Sequence, residues 1–162
     1  MKIITAGMVS LLFIGSAFAK SLPDESFMME KLDESKLVSS NQWKSKVSPN
    51  GFDYKSASSD GNVFSMSKNF LNVAQVVDIK NSDTDNAVLK SQVTCLYIAV
   101  IARGGKNLSE KQIDVLASTI AAAGKSPGKK VSDKIDGFDF YSMISVVKDL
   151  PVVNCGMEPP TF

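Results

Sequence analysis

The first nineteen residues constrain this chain more than any other stretch. Lys2 gives a positive start, Ile3 to Gly15 is an apolar run, and Ala17-Phe18-Ala19 puts small residues at the two positions a signal peptidase accepts, with Lys20 next. Cleavage between Ala19 and Lys20 is therefore expected, with 1–19 a signal peptide and 20–162 a single globular domain. A retained membrane anchor is the competing reading. Thirteen apolar residues at ~1.5 Å each cover only about 20 Å of a hydrocarbon core near 30 Å, so no stable membrane span is expected. No cysteine stands at the cleavage point to carry a lipid. The short basic start, the Ala-x-Ala site and the lysine-rich remainder point to bacterial export, with a periplasmic or secreted product.

Export decides how the cysteines are read. Cys95 and Cys155 are the only two, 60 positions apart. In an oxidising compartment such a pair in a small domain predicts one structural disulfide. A redox-active pair wants Cys-x-x-Cys proximity instead. Two methionines, Met28 and Met29, are soft donors for Cu(I), yet methionine at helical spacing usually fills core, and no metal or cofactor is expected.

Along the remainder the hydrophobic period changes several times. Pro23, the acids after it and the apolar pair Met28 and Leu32 predict a short amphipathic helix. Trp43 to Val47, Phe52 to Tyr54, Val63 to Lys68 and Leu71 to Ile79 read as strands, with Asp60-Gly61 the sharpest hairpin signal among them. The ten-residue apolar run Val93–Ala102 is ambiguous: its β-branched residues suit a buried strand, while the polar stretch Asn81 to Asn86 before it and Gly104-Gly105 after it suit a buried helix, which is preferred. Ser109 and Gln112 form a capping box for a helix over Ser109–Ala123. Val131 to Ile135 and Phe138 to Val147 flank Asp136-Gly137 as a second hairpin, and Pro151 to Phe162 reads as a tail. The expected fold class is α+β: an antiparallel sheet of about five strands with two or three helices packed on one face. Gly51-Phe-Asp-Tyr-Lys-Ser56 echoes Gly137-Phe-Asp-Phe-Tyr-Ser142, a hint of duplication that two strands after glycine turns would also produce.

The chemical motifs are weak. Ser-x-x-Lys occurs at Ser65/Lys68, Ser126/Lys129 and Ser145/Lys148, a spacing that can give a serine its base, but composition alone yields about two such hits. Gly124-Lys125-Ser126 ends like a phosphate loop, yet it closes a helix where a phosphate loop would open one. Asn81-x-Asp83-x-Asp85 starts like a calcium loop and then lacks the glycine and glutamate of that loop; a turn and helix cap explains it. Asn107-Leu108-Ser109 fits a glycosylation acceptor and equally a helix start.

Charge and composition exclude more than they assign. Eighteen basic residues face seventeen acidic ones, only Arg103 among the cations is not lysine, and there is no histidine. Phosphate neutralisation is a poor basis for binding here, so no nucleic-acid partner is expected. The expectation is a non-catalytic protein-interaction protein of inhibitor, immunity or envelope-accessory type, with another protein as partner and Trp43, Phe52, Tyr54, Phe138, Phe140 and Tyr141 as candidate interface aromatics. Two other readings stand beside it. One is an apolar-ligand binder with an enclosed pocket of at least ~300 Å³ between sheet and helices. The other is a hydrolase using Ser/Lys or carboxylate pairs, which requires those groups to converge in one cleft.

Overall fold

Two-residue turns lay down most of the sheet. In a computed structural model, which describes residues 20–77 and 84–160, β1 (Lys44–Val47) and β2 (Asp53–Ser59) are antiparallel neighbours. Between β2 and β3 (Asn62–Ser67), Asp60 and Gly61 take φ of 49° and 77°, the left-handed pair that a tight hairpin demands and that Asp-Gly supplies at low cost. β4 (Phe70–Val76) completes a first meander. Asp136 and Gly137 repeat the device, at 52° and 83°, between β5 (Val131–Ile135) and β6 (Phe138–Val147). β7 (Leu150–Glu158) completes a second meander, and antiparallel pairing of β4 with β7 joins the two. The order is β1-β2-β3-β4-β7-β6-β5.

The sheet therefore has seven strands rather than about five, and the segment expected as a tail is a central strand. Its disguise is local. The turn before it, Lys148-Asp149, holds both residues at positive φ without glycine or asparagine. Pro151 sits near the start of β7, opposite Val146, and its carbonyl accepts from the Val77 amide at 2.9 Å just past the end of the β4–β7 ladder, so the missing proline N–H costs only a terminal bond. The predicted leader, with Ala19, lies outside the described residues, as do Ile79, Asn81 and Asp83; Lys20 is the first residue described.

Three helices lie on one face. Lys55 of β2 reaches Glu25 (3.6 Å) and the Met29 sulfur (3.7 Å) on α1 (Glu25–Glu34); Cys155 of β7 bonds Cys95 on α2 (Thr84–Ala102); and Ile144 of β6 meets Gly124 at the end of α3 (Glu110–Gly124). Lys55, Cys155 and Ile144 all fall in the same phase of the strand alternation. The ambiguous apolar run is thus helical. α3 starts as its sequence dictates, with the Ser109 hydroxyl taking the Gln112 amide and the Gln112 side chain returning to the Ser109 amide. Between the layers Phe64, Phe140, Met66, Leu71, Met157, Met28, Leu32, Ile98 and Leu116 are closed to solvent.

One covalent and one polar link tie α2 to the middle of the sheet. Cys95 and Cys155 are bonded, with Cα atoms 5.9 Å apart, as the export reading anticipates. One turn earlier, the buried Gln75 amide of β4 donates to the Ser91 carbonyl (3.1 Å) and hydroxyl (3.2 Å). The bridge closes a loop spanning 60 positions, so constraint of the unfolded chain stabilises the fold by about 4 kcal/mol. A Cys95→Ala/Cys155→Ala double variant is expected to lose most of that in urea unfolding; an unchanged midpoint would show that the pair carries no stability.

Candidate functional site

The sheet face opposite the helices carries no layer of its own among the described residues, and its side chains follow from the register. Opposed residues across neighbouring strands share a face. One row on this face is Lys44, Ser56, Ser65, Asn72, Gly156, Tyr141 and Ser132. The next row towards the β6–β7 turn runs Ser58, Val63, Ala74, Asn154 and Met143, and beyond it stand Val76, Val152 and Ser145.

At the centre, Gly156 lets a large side chain lie flat. A Cβ there would stand 2.8 Å from the Tyr141 hydroxyl, 2.7 Å from Asn72 Cβ and 2.8 Å from the Leu71 carbonyl. With no side chain in the way, Tyr141 crosses β7 and its hydroxyl accepts from Asn72 Nδ2 at 3.1 Å. Lys130 covers the ring, its Nζ 4.2 Å from the centroid, while pairing with Glu158 at 2.8 Å. Only 7% of Tyr141 is exposed as a result. Burial holds its phenol above the ordinary value near 10; the Asn72 hydrogen bond works the other way, and the Glu158 carboxylate adds to the rise.

Two apolar clusters flank this fixed centre. Towards the β3–β4 turn, Phe70 stands between Phe52 (centroids 6.1 Å apart) and Tyr54 (6.5 Å), both tilted against it. Towards the β6–β7 turn lie Val63 and Val76, 44% and 46% exposed, with Ala74, Val152, Leu150 and Val147. A second apolar feature lies on the outside of the helix layer: a groove of about 500 Å³ between α2 and α3, lined by Val93, Leu96, Tyr97, Val100, Leu108 and Ile113.

The six aromatics chosen from sequence divide accordingly. Phe138 and Phe140 face the helices and are buried in the core. Trp43 packs against that core, with its indole N–H buried and without a hydrogen-bond partner among the described residues. Phe52, Tyr54 and Tyr141 are on the open face. Phe70, Asn72, Gly156, Val63 and Val76 were not singled out by sequence, because only the register assembles them. The register also separates the six-residue echo: Tyr54 faces outward, whereas its counterpart Phe140 faces the helices, so the two segments are not equivalent.

The catalytic candidates do not converge. Ser65 and Lys68 lie at the β3–β4 turn, Ser126 and Lys129 after α3, and Ser145 and Lys148 at the β6–β7 turn. Gly124-Lys125-Ser126 follows α3 and opens no helix. Among the described residues, no three Cys, Asp or Glu side chains gather to hold a metal ion, and no helix is long and apolar enough to cross a membrane. The space between sheet and helices, where the alternative reading of an apolar-ligand binder requires an enclosed pocket, is occupied by Phe64, Phe140, Met66 and Met28. No family model, curated protein or solved structure matches this chain.

The centre of the open face can be tested directly. Gly156→Ala is expected to cost about 1–3 kcal/mol by overpacking. Because the folded chain keeps the Tyr141 proton beyond the pH at which the unfolded chain releases it, the stability linked to the buried neutral phenol is complete below pH about 10 and is lost as pH rises through the folded-state value. Tyr141→Phe is expected to flatten that alkaline loss in urea unfolding; an unaltered pH profile would show that the phenol is not held in its neutral form.

Proposed function

We propose that this is an exported, non-catalytic protein-interaction module, of inhibitor, immunity or envelope-accessory type, whose partner docks on the open face of the sheet. One observation carries the reading: a seven-stranded sheet covered on one side only, whose bare side bears aromatic and valine clusters around a rigid Tyr141–Asn72 centre. Contiguous exposed apolar surface with a polar surround marks interaction sites, and aromatics are the commonest anchors within them. The neutral charge balance and the single structural disulfide suit a stable extracellular scaffold.

Val63 and Val76 are exposed and far from the core, so a Val63→Lys/Val76→Lys variant is expected to fold normally. In the envelope fraction of the source organism the unaltered protein should co-purify with a stoichiometric partner, and this variant should retain at least tenfold less of it. Equal recovery by both proteins would remove the open face from the function.

A further inference from the structure

The outer edge of the sheet beside this face has a distinctive charge pattern. β1 pairs with β2 alone, all four of its residues are exposed, and its second edge has no partner among the described residues. Such an edge is a template for another strand. Lys44 and Lys46 lie opposite Ser56 and Tyr54 on the open face, about 7 Å apart along the strand. Neither lysine has an ion pair or hydrogen bond with any described residue. The other edge differs: on β5, Lys134 is matched by Asp139 at 2.7 Å.

Resting on the interaction reading above, we infer that the free edge of β1 takes an extended acidic segment of the partner protein as an added strand, with carboxylates two residues apart set against Lys44 and Lys46. Strand addition draws affinity from main-chain hydrogen bonds and specificity from alternate side chains. Here the alternation is legible. Residues i and i+2 of the incoming strand share the face of both lysines and match their spacing, while the residue between them points to the helix side. That side already carries Asp53, which has no ion pair, and Glu25, which pairs with Lys55. An acid would be repelled there, so the pattern is acid–neutral–acid. Clefts of about 310 and 360 Å³ flank β1, the first lined by Lys44, Lys46, Ser56 and Ser58, the second by Glu25, Ser45, Val47 and Asp53. A second copy of this chain is a poor occupant, because pairing two β1 edges sets lysine against lysine, and like charges directly opposed destabilise a ladder.

The probe is the capped pentapeptide Val-Glu-Val-Glu-Val, titrated into the isotopically labelled mature protein at low salt and followed by amide NMR. Its controls are Val-Lys-Val-Lys-Val and an N-methylated acidic version. The acidic peptide should bind at least tenfold more tightly than the lysine peptide, with shifts centred on residues 44–47. N-methylation should abolish binding, and Lys44→Glu/Lys46→Glu should reverse the charge preference. Binding of none of the peptides, equal binding of both charges, or shifts centred elsewhere would each overturn the inference. The two readings separate cleanly. If the peptide binds at β1 while Val63→Lys/Val76→Lys keeps its partner, the open-face reading fails; if the valines matter and the peptide does not bind, only the edge inference fails.

Discussion

The pairing of β4 with β7 is the contact on which the rest of the molecule depends. It is the single seam between two meanders, each closed by its own short turns, and α2 packs across it against both of its strands. Both faces of the seam are reinforced at one level. On the helix side the disulfide and the Gln75–Ser91 bonds fix α2 over it. On the other side Tyr141 spans Gly156 to reach Asn72. Adjacent residues of β7, Cys155 and Gly156, serve the two faces because side chains alternate along a strand.

That arrangement separates stability from recognition. The buried methionines, phenylalanines and leucines lie on the helix side, while serines, valines and a few aromatics populate the other. A single exposed sheet face is ordinary for antiparallel sheets and is normally polar. This one is polar in the middle and apolar towards both ends of its strands, with fixed hydrogen-bonding groups between two greasy clusters. Little of the core would have to move for surface residues such as Val63 or Val76 to change.

Much of the fold was legible because its signals are local. Asp60-Gly61 and Asp136-Gly137 announce turns that need positive φ, Ser109 and Gln112 announce a helix start, and two cysteines leave one pairing. β7 was illegible for equally physical reasons: Lys148-Asp149 adopts left-handed geometry with residues seldom chosen for it, and Pro151, Gly156 and two terminal prolines resemble a tail. The surface was harder still. A period of two places Phe138 and Phe140 together and Tyr141 opposite, yet which side is core depends on where β7 inserts. The grouping of Asn72, Gly156 and Tyr141 is a matter of register between distant strands, and no local pattern reports it.

The placement of β7 also bears on how the chain is made. Synthesis delivers the polypeptide from its amino end, and the first meander can close as it emerges. The middle of the sheet, however, is filled by β7, which is made after all the other described strands and whose partners lie on both sides of it. Until then the two halves present unpaired backbone to their surroundings, and distant pairings of this kind form slowly. Joining the two halves therefore has to wait for β7, and a deletion of residues 152–157 would take away the whole of the seam.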